Sequence, residues 1–277
     1  GRLIGCATRK GALRSTIYTP AVDKDGRLLV ATRYENRQSL VRIEAGGTRL
    51  GVTTALTDGH GGDLDPTIAR AGGRMVFSSA RVGNRHLWTA DPDGTNVRPL
   101  TSGAAQDDRP ALSPDGQTVA FVSDRGGQSG IWLIAAAGGT PRKLVAALPV
   151  SSLSWSRDGA SIVYAASAGV WPGLWRVSVA DGQVKRIPTA GAAGEPAWSP
   201  TRDLIAYLEP ATTAPPFTGV AFVTPDGTPQ AVLEAQAPNI SSGITNGLLA
   251  WSPDGRRLAV IASSMAVMTT SGSMPFS

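Results

Sequence analysis

The side chains able to do acid–base or ligand chemistry are few. The 277 residues include two histidines, His60 and His86, and one cysteine, Cys6. A single cysteine excludes an internal disulfide, and a cysteine-based zinc site needs several more ligands. No Gly-x-Ser-x-Gly elbow, His-Glu-x-x-His pair or phosphate-binding P-loop is present. The chain therefore lacks the residues for serine hydrolysis, zinc-assisted hydrolysis or P-loop nucleotide chemistry. Asp91 to Asn96 and Asp23 to Gly26 faintly resemble calcium loops, but neither has the later bidentate glutamate. No metal or cofactor is expected, and the chain is not read as an enzyme. What does recur is a set of charged residues at matching places: Asp63 and Asp65, Asp107 and Arg109, and Glu195, with Asp65, Arg109 and Glu195 each directly before a proline. Arg81 and Arg125 follow Ser-Ala and Ser-Asp in the same way. Such groups suit recognition of a peptide segment or a small polar ligand.

Composition narrows the partner. Basic residues number 26 against 21 acidic, for a net charge of +5 and a pI near 9.8. Only four of the basic residues are lysines, and arginines alternate with acids, as in Arg81, Asp91, Arg98, Asp107 and Arg109. No window carries the Lys/Arg cluster that tracks a phosphate backbone, so nucleic acid is not an expected partner. No apolar run approaches the length of a membrane span. Nothing indicates an oligomeric state. Leu3-Ile4-Gly5-Cys6 matches a lipobox, but only Gly1 and Arg2 precede it, so a strand ending in a buried cysteine is the preferred reading.

The charged residues are positioned by an internal repeat. Pro110-Ala111-Leu112-Ser113-Pro114-Asp115-Gly116 aligns with Pro196-Ala197-Trp198-Ser199-Pro200 and with Ala250-Trp251-Ser252-Pro253-Asp254-Gly255. Looser copies begin near 20, 66 and 153, giving unit starts at 20, 66, 110, 153, 196 and 249. After each turn comes an apolar, β-branched run, such as Val119-Ala120-Phe121-Val122 or Ile162-Val163-Tyr164, and a second run follows about ten residues on. Asp-Gly and Gly-Gly between such runs predict two-residue hairpins. Four strands per unit, a to d, at this period predict an all-β protein, a six-bladed β-propeller of four-stranded antiparallel blades. Residues 1–277 form one domain in this reading, with 2–9 supplying the outer strand of the last blade. The rival expectation is a piece of a longer protein. Trp155, Trp198 and Trp251 share one repeat position, and Trp88, Trp132 and Trp175 another. Both columns are read as wedges between blades.

Blade topology sorts the connections by face. The a–b and c–d turns lie together and are short. The d–a and b–c connections on the opposite face vary in length and chemistry, and such loops are where binding residues gather. The expected binding face therefore carries Asp63, Asp65, Arg81, His86, Asp107, Arg109, Arg125, Trp171 and Glu195. Asp63, Asp65, Asp107, Arg109 and Glu195 are expected to ring the mouth of the central channel. Trp171, beside Pro172, is off both tryptophan columns and reads as an aromatic in a b–c loop.

The run from Pro110 to Arg125, followed by Gly130-Ile131-Trp132, resembles the WD-repeat-like units of the TolB-type propeller family. The resemblance extends over about 20–270. It implies a six-bladed propeller that binds a protein or peptide partner in the bacterial periplasm or outside the cell. Similar repeats also occur in propellers attached to prolyl-oligopeptidase-like serine peptidases and in sensor regions of winged-helix regulators and kinases, which are the alternative readings. Fold alone does not choose among them.

Overall fold

The computed structural model describes residues 4–5, 16–22, 28–34, 37–46, 49–69, 73–146, 149–167, 172–210, 218–233, 248–256, 258–261 and 266–267. Its elements are β1 (Ile4–Gly5), β2 (Thr16–Val22), β3 (Leu28–Tyr34), β4 (Gln38–Gly46), β5 (Arg49–Ala55), β6 (Leu64–Ile68), β7 (Met75–Ser79), β8 (His86–Ala90) and β9 (Arg98–Pro99). They continue with β10 (Asp107–Leu112), β11 (Thr118–Ser123), β12 (Gly130–Ala135), β13 (Arg142–Ala146), β14 (Val150–Trp155), β15 (Ser161–Ser167), β16 (Pro172–Ser178) and β17 (Val184–Ile187). The last are β18 (Gly194–Trp198), β19 (Ile205–Pro210), β20 (Thr218–Val223), β21 (Pro229–Leu233), β22 (Leu248–Trp251), β23 (Leu258–Ile261) and β24 (Ala266–Val267).

From β2 to β21 the strands fall into four-stranded antiparallel sheets in which sequence neighbours are hydrogen-bonded neighbours, the meander of a propeller blade. A shorter sheet runs β22-β23-β24-β1, with Ile4 opposite Val267 and only two residues in each outer strand. The repeat predicts six four-stranded blades, the last completed by residues 2–9. The described residues hold five full blades and this abbreviated sheet, and the expectation is corrected to that extent. The β23–β24 ladder of this sheet consists of the single pair Ile261 and Val267, shorter than the inner ladders of the full blades.

The Ser-Pro-Asp-Gly motif is a turn device. Ser113 Oγ donates to Asp115 Oδ1 at 2.5 Å, Asp115 Oδ1 accepts the Gln117 N–H at 3.0 Å, and Ser113 Oγ accepts the Thr118 N–H at 3.0 Å. Gly116 closes the turn at φ +71°. Ser156 and Asp158 repeat the arrangement, and Ser252 with Asp254 follows it. These a–b loops are four residues long, closed by Ser113 N–H to Thr118 C=O at 2.8 Å, and not the two-residue hairpins predicted. The aspartate and serine hydrogen bonds stabilise the longer loop.

Apolar alternation on the blades creates cores between neighbouring sheets. Val163, Leu174 and Ile187 of one blade pack with Trp198, Ile205 and Tyr207 of the next. Ala120, Ile131 and Leu133 pack in the same way with Trp155, Ile162 and Tyr164. Two tryptophans also stitch the seams. Trp155 Nε1–H donates to the Ala111 carbonyl at 2.8 Å and Trp251 Nε1–H to the Ala197 carbonyl at 2.9 Å, each reaching back to the preceding blade. Trp251 further meets Phe222 with ring centroids 6.0 Å apart.

Candidate functional site

The first strands of the sheets converge on one cavity of about 540 Å³. Residues of β2 (Ala21, Val22), β6, β10, β14, β18 (Glu195, Trp198) and β22 (Leu249) all line it, which places it in the central channel. Its volume lies within the range of small-molecule pockets.

Each of the first strands in the five full blades carries a bulge, at one repeat position in four of them (Tyr18/Ala21, Leu64/Thr67, Asp108/Ala111 and Gly194/Ala197) and one residue earlier in β14 (Val150/Ser152). In three of them the bulge holds a non-glycine residue in the left-handed region: Asp65 at φ 51°, Arg109 at 53° and Glu195 at 49°. Left-handed backbone at charged residues costs energy and persists only where the surroundings enforce it. The bulge aims these side chains into the cavity. Ser152 occupies the matching repeat position in β14 and also lines it.

The three charged groups act on one another. Burial pushes the Asp65 carboxyl above the usual carboxylate range, opposed by Arg109 and reinforced by Asp108. Burial also pushes Glu195 up to about 7, against the pull of Arg109 and Ser152 and with repulsion from Asp65. Arg109 donates through Nη1 to the Ser151 carbonyl, tying β10 to β14. Glu195 Oε2, Ser151 Oγ and Ser152 Oγ are buried in the wall, and the Ser152 hydroxyl is the one that acts on the Glu195 carboxyl. At the mouth stand Gln38 and Tyr34, the latter 47% exposed.

The structure divides the expected site. Asp65, Arg109 and Glu195 line the channel, whereas Asp63, Arg81, His86, Asp107 and Arg125 do not. Asp63 and Asp107 are wholly buried. Arg81 Nη2 meets Asp63 Oδ1 at 2.8 Å, and its Nε–H donates to Ser79 Oγ at 3.1 Å. The Arg81 guanidinium lies 4.8 Å from the Trp88 ring and 5.2 Å from Phe77. The next blade repeats this clamp with Arg125, Asp107 (2.5 Å), Ser123, Phe121 and Trp132. At the same register the following blades have buried Val150 and Ala193. The clamp thus fills a core position, and the correction concerns Asp63 and Asp107, expected at the channel mouth, which instead brace their blades with Arg81 and Arg125. His86 is buried, its Nδ1 3.6 Å from Asp107 Oδ2. Trp171 lies outside the described residues.

Other residues of the cavity escaped the sequence reading. Ser151, Ser152, Tyr34 and Gln38 carry no motif, although Ser152 shares a repeat column with Asp65, Arg109 and Glu195. Trp155 and Trp198, expected only as wedges, also form part of the wall. The carboxylates of Asp91 and Asp93 are engaged within their own turn by Asn96 and Thr95.

A sequence model of the tricorn protease N-terminal β-propeller domain matches residues 66–217, more than half of the chain. The chain belongs to that propeller family. It is also similar to a TolB homolog of Chlorobium luteolum, 30% identical over 139 residues that make up 48% of this chain and 31% of that protein. The chain spans about a fifth to a third of the length of the curated relatives it matches. Among solved structures, a TolB candidate from Agrobacterium tumefaciens superposes with a TM-score of 0.70 at 20% identity, covering 88% of this chain and 96% of that one. A puromycin-hydrolyzing peptidase of Mycobacterium tuberculosis superposes with a TM-score of 0.56 at 14% identity, covering 78% of this chain and 36% of the peptidase. At these identities the structural likeness establishes the propeller fold.

Proposed function

We propose that this chain is a non-enzymatic TolB-like propeller that receives an extended segment of a protein partner in the mouth of its channel, in the bacterial envelope. The abbreviated sheet closes the ring as a sixth blade, with β1 as its outer strand. The observation that carries the reading is the bulge column. Three of the five full blades hold Asp65, Arg109 and Glu195 in a strained backbone conformation facing one cavity, beside the hydroxyls of Ser151 and Ser152. Strain kept at a polar opening points to recognition, because burial of an apolar residue there would be cheaper. The resemblance to TolB proteins supports a protein partner and the periplasm.

A second reading keeps the same channel but makes it the entry to an attached serine-peptidase domain. The likeness to the mycobacterial peptidase, of which this chain covers 36%, favours it. The sequence beyond residue 277 in the native gene separates the two, since a nucleophile elbow belongs downstream only in the second.

The binding reading is tested with a random-peptide display library selected on the wild-type chain. Selected peptides are then titrated calorimetrically into wild type and the triple variant Asp65→Ala/Arg109→Ala/Glu195→Ala. Affinity should fall at least tenfold while the melting temperature does not fall. Undiminished affinity in a folded triple variant refutes the channel as the docking site.

A further inference from the structure

The chemistry of the bound segment can be read from what the channel lacks. Among the residues lining the cavity, the carboxylates are Asp65 and Glu195 and the only cation is Arg109. Arg109 already spends Nη1 on the Ser151 carbonyl. Three buried oxygens stand beside it, Glu195 Oε2 and the hydroxyls of Ser151 and Ser152, with only the contact from Ser152 to the Glu195 carboxyl among them. A buried carboxylate oxygen with so few partners is costly unless a donor arrives, and the hydroxyls can turn their lone pairs to the same donor. Beside them the wall is apolar, with Leu64, Ile68, Leu153, Trp155 and Leu249. An anion fits poorly, since it would meet two carboxylates and one partly engaged arginine. A divalent metal fits poorly as well. No group of three His, Cys, Asp or Glu residues able to hold one occurs among the described residues.

We propose that the channel recognises a primary ammonium at the end of an alkyl stem, supplied by a lysine of the docked segment. An ammonium brings three donors and no acceptor, which matches a carboxylate flanked by two hydroxyls. Its four methylenes can lie along Leu64, Ile68 and Leu153 while the charged head reaches Glu195 and Asp65. This deepens the platform reading and rests on it. Binding carries a pH signature. Groups acting on Glu195 are Arg109 from β10, Asp65 from β6 and Ser152 from β14. Those acting on Asp65 include Arg109, Asp108 and Arg85. Glu195 must be ionised to hold an ammonium, so the site strengthens as pH rises through about 7.

The test titrates three probes into the full chain at pH 6 and pH 8: N-acetyl-Gly-Lys-Gly-amide, its norleucine analogue and n-pentylammonium chloride. The lysine peptide and pentylammonium should bind at least tenfold more tightly than the norleucine peptide, and more tightly at pH 8 than at pH 6. Glu195→Gln should lose at least tenfold together with the pH dependence, and Ser152→Ala should weaken binding in a folded protein. Equal binding of lysine and norleucine peptides, or indifference to both substitutions, overturns the inference. Display-selected peptides that tolerate Lys→norleucine also overturn it while leaving the platform reading intact. Pentylammonium binding where no peptide binds overturns the lysine source and the platform together.

Discussion

Replacing Glu195 by Gln should make the protein more stable at neutral pH, a reversal of the usual cost of mutating a partly buried residue. The wild-type carboxyl rises from 4.5 to about 7 because ionising it in the channel wall is disfavoured by burial and by Asp65. Between those pH values the folded chain holds a proton that the unfolded chain has released. Stability must therefore fall as pH rises through this window, with the loss complete above about pH 8. At about 1.4 kcal/mol for each tenfold change in proton affinity, the loss amounts to about 3 kcal/mol, reduced where solvent reaches the group. Asp65, also raised, acts in the same sense from a lower pH. Asp115 and Asp158 are held low by hydrogen bonds from Ser113 and Ser156 and act in the opposite sense, in the acid range. They leave the window from pH 5 to 8 clear. Urea unfolding followed by tryptophan fluorescence at pH 5 and pH 8 measures the effect. Between the two pH values wild type should lose about 1 M more of midpoint than Glu195→Gln, for slopes near 3 kcal/mol per M, because Asp65 and Asp108, both raised, remain in each protein. Parallel pH dependence in the two proteins would refute the desolvated-carboxyl argument.

The blade braces and seams give two further expectations. Removing Arg125 with Arg125→Met strands the Asp107 carboxylate in a dry core and should cost about 3–5 kcal/mol. Adding Asp107→Val, the residue type that another blade uses at Val150, should restore most of it, as a denaturation double-mutant cycle would reveal. At the seam, Trp155→Phe removes only the indole bond to the Ala111 carbonyl and should cost about 1–2 kcal/mol. Trp155→Ala should cost about 3–5 kcal/mol in the same assay.

The propeller was legible because its determinants are local and repeated. Ser-Pro-Asp-Gly builds a self-contained turn, and tryptophan columns mark the seams at matching intervals. The site was legible only in part. Asp63 and Asp65 are two residues apart, and in a regular strand such residues share a face. The bulge between Leu64 and Thr67 breaks that alternation. Asp63 goes into a clamp with Arg81 while Asp65 goes into the channel. Composition does not announce a one-residue bulge, so the sequence reading placed both at the channel mouth. The same shift separates Asp107 from Arg109. Ser151 and Ser152 were missed for another reason: their significance lies in buried hydroxyls in the channel wall, which only packing reveals.

The bulge column has a consequence for how such a molecule changes. An aspartate, an arginine and a glutamate adopt nearly one backbone conformation at equivalent places, so the main chain there is indifferent to the charge it carries. Three blades offer a slot held by its own ladder, in which the backbone accepts different side chains while the occupants remain coupled through charge. Swapping the occupants of slots 65, 109 and 195 should give a set of folded proteins with different electrostatic inscriptions around one opening. A lineage can then drift from one class of visitor to another by single codon changes, while the scaffold beneath remains the same.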